Sequence, residues 1–212
     1  MRTLKLTKET IQNILTDLLK RSPNNYTQYE SSVNEIIANV RSNGDQAVFD
    51  YTQKFDGATV TADNIEVTED EIAEAYELVD QKLLEVIRKA KENIRVYHEK
   101  QKQYSWFDSS IPGTMLGQKV TPIAKAGVYV PGGKAVYPSS VLMNIMPAKV
   151  AGVEEIIMTT PCNKAGKINP STLVAAKEAG ADRVFKVGGA QAIAALAFGT
   201  ESIPKVDKIV GP

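Results

Sequence analysis

Short β-branched runs alternate with helical segments through the second half of the chain, and this alternation constrains the fold more than any other feature. Each run is bounded by glycine, proline or an acidic turn, and each segment between runs is long enough to cross a sheet. Parallel strands need such crossovers, so the order predicts βαβ units and a parallel sheet. The predicted strands are residues 128–130, 155–159, 183–187 and 208–210, and the predicted helices are residues 140–150, 170–178 and 190–198.

The first predicted strand leads into a glycine loop that is a candidate ligand site. Tyr129 lies in this strand, and Pro131-Gly132-Gly133 forces a turn directly after it. Ligands of open α/β sheets bind at the carboxyl ends of the strands, where Tyr129 is expected to lie. Two interpretations of Tyr129 stay open, a core side chain of the strand or a ring stacked on a flat ligand.

A second glycine segment follows the strand predicted at residues 183–187. Gly188 and Gly189 begin an alanine-rich helix, and Gln191 lies in its first turn. Free N–H groups at a helix start favour phosphate, and an amide side chain can donate to or accept from an amide or a ribose hydroxyl. The alternative is that the glycines only permit a tight, closely packed turn. Neither glycine segment has the G-x-G-x-x-G spacing of the common dinucleotide fingerprint.

Helical periodicity dominates the first half of the chain. Thr7 is a candidate cap for a first helix, Asn43-Gly44 separates a second helix from a third, and Thr68 with Glu71 fits a capping box. Residues 64–67 form a candidate short strand. Because charge thins and glycine and proline increase after Trp106, the predicted domains are residues 1–110, mainly helical, and residues 111–212, a Rossmann-like α/β domain.

Two apolar patterns in the first half are expected to pack. A long helix near residues 80–103 carries a seam that suits another helix or a partner chain, composed of Leu83, Ile87, Ala90, Ile94 and Tyr97. The aromatic cluster at residues 104–107 is interpreted as a packing plug at the helix end rather than an aromatic binding platform.

Composition limits the classes of function. Lys plus Arg equals Asp plus Glu at 25 each, which gives no charge excess for nucleic acid or an anionic membrane surface. No apolar run approaches the roughly 18 residues of a membrane span. With one cysteine, Cys162, no internal disulfide can form, so we expect a cytoplasmic protein. The Cys162 thiol is expected to be inert, because no basic neighbour or helix N-terminus in the sequence would clearly lower its pKa. One histidine and one cysteine cannot supply most of a zinc site, which leaves a carboxylate-rich metal site as the alternative, although no tight Asp/Glu cluster marks one.

Four motifs in order resemble the histidinol dehydrogenase family, and YHEKQ at residues 97–101 agrees with them. They are GVYVPGG at residues 127–133, YPSSVLM at 137–143, GGAQAIAA at 188–195 and VDKIVGP at 206–212. The resemblance implies an NAD-dependent, zinc-requiring homodimeric enzyme that oxidises L-histidinol through L-histidinal to L-histidine, built on incomplete Rossmann-like sheets. It also implies that Tyr129 and Gln191 contact NAD, which makes residues 111–212 an NAD platform.

The chain departs from the family in its length, because family proteins are about twice as long. The resemblance implies that the zinc ligands, the catalytic glutamate–histidine pair and a third NAD contact all lie beyond Pro212. We therefore expect an N-terminal half that holds no catalytic or metal-ligating residue and is inactive alone. The alternative is a non-catalytic nucleotide-binding or assembly module that retains the fold.

Overall fold

A computed structural model of the chain describes residues 27–132 and 136–211, together with residues 7, 8, 10, 11, 14 and 16. Its helices are α1 (Thr27–Asp56), α2 (Glu69–Leu78), α3 (Gln81–Glu99), α4 (Pro138–Ala151), α5 (Pro170–Ala179) and α6 (Gly189–Phe198). Its strands are β1 (Trp106–Asp108), β2 (Leu116–Gln118), β3 (Lys125–Tyr129), β4 (Glu155–Thr160), β5 (Arg183–Lys186) and β6 (Lys208–Val210).

The local signals for the N-terminal helices are confirmed where they fall on described residues. The Thr10 N–H donates to Thr7 Oγ1 at 3.2 Å, which is the predicted cap, although most of that first helix lies outside the described residues. Gly44 breaks α1 with φ 52° and ψ −131°. Thr68 and Glu71 form the predicted capping box at the start of α2.

Four parallel strands form the main sheet in the order β5-β4-β3-β6. This arrangement corresponds to strands 3-2-1-4 of a Rossmann sheet, with β3 at the point where the strand order reverses. The predicted α/β class, with an incomplete Rossmann-like parallel sheet and an N-terminal helical region, is confirmed. Residues 64–67 add one antiparallel bridge, between Glu66 and Phe185.

The two faces of the sheet carry different cores. Ile156 and Met158 of β4 pack on the face covered by α4 and α5. Ile157 of β4 and Phe185 of β5 pack with α6 on the opposite face. Residues of α2 and α3 share the first core with β3 and β4, and residues 36–212 form one compact unit separate from residues 1–35. The predicted division of the chain into domains at residues 1–110 and 111–212 stays a prediction.

One packing prediction is confirmed in part and another is wrong. On α3, Ile87, Ala90 and Ile94 of the predicted seam pack against the first core, whereas Leu83 and Tyr97 at its two ends are 38% and 62% exposed. Leu84 is buried in place of Leu83, because α3 packs on α4 in a helical layer over the sheet. The aromatic cluster forms no plug, because Trp106 and Phe107 lie in β1, which pairs with β2 in an antiparallel hairpin whose strand residues are all exposed.

Candidate functional site

The carboxyl ends of the parallel strands lie along one edge of the sheet, here called the carboxyl rim. It comprises the ends of β3 at Tyr129, β4 at Thr160, β5 at Lys186 and β6 at Val210. All four strands are parallel, so the loops that follow them emerge on the same side. This rim is where a Rossmann-like sheet binds its ligand.

Tyr129 is half-buried at the end of β3, and it is tied to the second glycine segment. Its ring lies on the α6 face of the sheet, against the second core. Its hydroxyl oxygen accepts a hydrogen bond from the Gly189 N–H at 3.3 Å. The structure therefore brings together the two segments that the sequence marks as candidate sites, although they are 60 residues apart. Gly133 of the first glycine loop lies outside the described residues.

The two glycines at the start of α6, Gly188 and Gly189, each have a steric reason. A Cβ on Gly188 would lie 2.7 Å from Pro161 Cβ, and a Cβ on Gly189 would lie 2.6 Å from Gln191 Oε1. Gly189 also has φ +64°, a backbone conformation that side chains rarely adopt. Close packing thus explains Gly188, while Gly189 is exposed and leaves the start of α6 open to solvent. Phosphate binding at this turn stays a prediction.

Gln191 is more buried than a first-turn glutamine is expected to be. Its side chain is only 1% exposed, and its Oε1 has no hydrogen-bond partner. A buried polar atom without a partner costs about 1–3 kcal/mol. Such an atom beside an uncapped helix start is suited to a ligand that brings its own donor.

Thr159 is a residue at this site that the sequence reasoning missed. It is fully buried, and its Oγ1 also has no hydrogen-bond partner. Thr159 pairs with Tyr129 across the β3–β4 ladder, so both side chains lie on the α6 face. A threonine in a buried apolar strand gives no signal in the sequence, because β-branched residues are common there.

A cavity of about 490 Å³ opens on the opposite face of the rim. Its lining includes Asp56, Pro131, Thr160, Cys162 and Lys186, but neither Tyr129 nor Gln191. Its volume falls within the range of about 300–1,000 Å³ for small-molecule sites. The predicted cofactor residues and this cavity are therefore on different sides of the sheet.

Charged groups in this cavity are partly paired. Lys186 is 5% exposed, and its Nζ contacts Glu71 Oε2 at 2.8 Å and donates to the Asn64 carbonyl at 3.0 Å. Burial raises the pKa of Asp56 above its ordinary value, and one of its carboxylate oxygens has no hydrogen-bond partner. Burial, and next the charge of Asp56, raise the pKa of Cys162, which supports the inert-thiol interpretation.

Zinc does not fit this part of the chain. Among the described residues, no three His, Cys, Asp or Glu side chains lie close enough together to hold a metal ion. His98 instead forms a 2.7 Å hydrogen bond between Nδ1 and Gln101 Oε1 on the exposed end of α3.

Within the same described part, no helix combines the length and apolar character needed to cross a bilayer.

Comparisons with known proteins agree with this architecture. A family model described as histidinol dehydrogenase matches residues 19–212. Histidinol dehydrogenase of Bacillus subtilis is 57% identical over 195 residues, which cover 92% of this chain and 45% of that protein. The Listeria innocua enzyme is 51% identical over 212 residues, which cover 100% of this chain and 48% of that protein.

A solved structure shows the same fold. The crystal structure of histidinol dehydrogenase from Elizabethkingia anophelis superposes with a TM-score of 0.80 at 35% identity, over 100% of this chain and 44% of that one. This chain thus spans about half the length of the curated relatives it matches. On the extent of these matches, the chain belongs to the histidinol dehydrogenase family.

Proposed function

We propose that this chain supplies the NAD platform for the oxidation of L-histidinol through L-histidinal to L-histidine in histidine biosynthesis. The observation that carries the proposal is the convergence of Tyr129 and the Gly189–Gln191 turn at the carboxyl rim of a Rossmann-like sheet. The reaction is inferred from membership of the histidinol dehydrogenase family. The role in cofactor binding is inferred from the geometry of the rim.

Three features of the turn fit NAD. The start of α6 has no side-chain cap, and although the Gly189 N–H donates to the Tyr129 hydroxyl, an anionic or carbonyl group would meet the N–H groups that follow it. Gly189 carries no side chain and is exposed, so a ligand can approach the backbone. Gln191 Oε1 lacks a partner, and NAD carries amide and hydroxyl donors that could provide one.

The roles of the chain's own residues follow from these contacts. NAD, when bound, supplies the hydride acceptor for each oxidation. Tyr129 would present its half-buried ring to the cofactor, and its hydroxyl would hold the Gly189 turn in place. Gln191 would fix the orientation of the cofactor through its amide. The chemistry of the alcohol and of proton transfer is not assigned to described residues, because they include no zinc-binding group or buried histidine.

The proposal predicts that NAD affinity depends on Tyr129 without a loss of fold. Replacing Tyr129→Ala removes the ring and the acceptor for Gly189, so we expect the Kd for NAD to rise at least about fivefold, the effect of one lost hydrogen bond. Binding is measured by isothermal titration, and folding by far-UV circular dichroism. If Tyr129→Ala unfolds the chain, the ring is a core residue and the binding role is lost.

An activity assay distinguishes a cofactor-binding platform from a complete enzyme. Incubated with histidinol, NAD and zinc, the pure chain is expected to form no NADH, because the described residues include no group of three His, Cys, Asp or Glu side chains that could hold the zinc. Robust histidinol-dependent turnover by the chain alone would overturn this part of the proposal. A full-length relative serves as the positive control.

A second candidate function, assembly, rests on a different observation. All strand residues of the β1–β2 hairpin are exposed, including Trp106, Phe107 and Leu116 at 57–63%. An isolated two-stranded hairpin is at best marginally stable in water, so a partner surface would stabilise it. The homodimer expected for the family would provide one. Size-exclusion chromatography with light scattering tests this candidate, and a stable monomer at high concentration would count against it.

We also propose a cytoplasmic location, because the single cysteine is buried and unpaired. Fractionation of the source cells tests this, and recovery outside the cytoplasmic fraction would contradict it.

A further inference from the structure

Two buried oxygen atoms without hydrogen-bond partners lie near the same tyrosine. Thr159 Oγ1 belongs to the residue that pairs with Tyr129 across the ladder, and Gln191 Oε1 lies beside the Gly189 turn that the Tyr129 hydroxyl contacts. Thr159 is 0% exposed and Gln191 is 1% exposed. Tyr129 thus pairs with one of these residues across the ladder, and its hydroxyl contacts the turn that lies beside the other.

An unpaired hydroxyl at Thr159 is costly for the free chain. Burying a hydroxyl without a hydrogen bond costs about 1–3 kcal/mol, and valine would occupy the same volume without that cost. The buried Thr52 avoids this cost, because its hydroxyl donates to the Val48 carbonyl at 2.8 Å. The hydroxyl of Thr159 thus has no hydrogen-bond partner among the described residues that would offset this cost.

Access to Thr159 requires a local movement, and Tyr129 is placed to make it. The cross-strand neighbours of Thr159 are Tyr129 on β3 and Phe185 on β5. Phe185 is fully buried in the second core, whereas Tyr129 is half-buried at the end of its strand. The hydrogen bond that holds Tyr129 is long, at 3.3 Å, and joins it to an exposed glycine.

We propose that Thr159 is a further cofactor-binding residue, whose hydroxyl gains its hydrogen-bond partner from an amide or hydroxyl group of the bound dinucleotide. The ring of Tyr129 shifts as the ligand enters, and Thr159 Oγ1 and Gln191 Oε1 then bind the same ligand from two elements, β4 and α6. This inference rests on the proposed NAD function and adds a residue to it.

The test replaces the hydroxyl with a methyl group of the same size. In Thr159→Val we expect the Kd for NAD to rise about fivefold to tenfold, the effect of one hydrogen bond. The thermal midpoint of the ligand-free variant should equal or exceed that of the unchanged chain. Thr159→Ser keeps the hydroxyl and should retain NAD affinity.

A matched control comes from the next residue of the strand. Thr160 is 2% exposed on the opposite face, where it lines the cavity, so Thr160→Val should leave NAD affinity unchanged. The titrations extend to about 10 mM NAD, so that a Kd near 1 mM is still measured.

Three results would overturn this inference but not the proposed function. The first two are unchanged NAD affinity in Thr159→Val and an equal loss of affinity in Thr160→Val. The third is a lower thermal midpoint for ligand-free Thr159→Val, which would reveal a hydrogen-bond partner of the Thr159 hydroxyl in the free chain. No NAD binding by the unchanged chain at the highest concentration would overturn the proposed function and this inference together.

Discussion

Replacing Lys186→Met should destabilise the chain more than most surface changes, because it breaks a buried ion pair. Lys186 lies at the end of β5, and its Nζ joins Glu71 of the α2 capping box to the Asn64 carbonyl. Methionine fills a similar volume but provides no donor. The substitution therefore leaves a carboxylate and a carbonyl oxygen without their shared partner.

The size of the effect follows from the burial of both groups. Removing one partner of a buried pair costs about 3–5 kcal/mol. Glu71 is 17% exposed and keeps Lys167 at 4.0 Å and the Thr68 N–H at 3.1 Å, which favours the lower end of that range. We expect a loss of about 3 kcal/mol in the free energy of unfolding, or about 6–12 °C in Tm for a chain of this size.

Urea unfolding followed by far-UV circular dichroism measures this loss, and Glu71→Gln completes a double-mutant cycle. Glutamine can still close the capping box, so Glu71→Gln removes the charge while it keeps the cap. The cycle should give a coupling energy of about 2 kcal/mol between the two sites. A loss below about 1 kcal/mol in Lys186→Met, or additivity within about 0.5 kcal/mol, would refute the ion-pair argument.

Two further predictions concern titratable groups. Burial and the nearby Asp56 raise the pKa of Cys162, so the native protein should react with iodoacetamide more slowly than a free thiol at pH 8. Unfolding in urea should restore the rate of a free thiol. Equal rates for the native protein and a free thiol would contradict this prediction. Burial and a hydrogen bond to Glu178 raise the pKa of Tyr76 to about 12 from an ordinary 10.0, so its contribution to stability is present below pH 10 and is lost as pH rises toward 12. Unfolding measured from pH 9 to 12 should therefore decline less steeply in Tyr76→Phe, and an unchanged slope would contradict the assignment.

The sequence predicts the parallel sheet well because its signals are local. Each helix–strand turn carries its own information, such as Gly152 and Gly180, which both end helices in the left-handed conformation. The capping box at Thr68 and the break at Gly44 are similarly encoded within a few residues. These elements need no tertiary information to be located.

Packing between distant elements is less predictable. The middle of the α3 seam is predictable, but only contact with α4 and α5 selects Leu84 over Leu83 and leaves Tyr97 exposed. The hairpin around Trp106 has short strands without strong alternation, so its pairing depends on contacts that the sequence does not display.

The candidate site shows the same limit. The glycine segments mark the rim, because glycine is informative where backbone conformation is unusual. The burial of Gln191, the unpaired hydroxyl of Thr159 and the Lys186–Glu71 pair arise only when strands from different parts of the chain align. The structure reveals these features because it shows which polar atoms have hydrogen-bond or ion-pair partners and which do not.

The central claim is that NAD binds on the α6 face of the carboxyl rim, and backbone NMR of the ¹⁵N-labelled chain during an NAD titration tests it most directly. The account predicts that the largest shift changes fall on the amides of Tyr129, Gly189 and Gln191, with smaller changes at Thr159. Changes confined to the cavity on the opposite face, at Cys162 and Asn163, would contradict it.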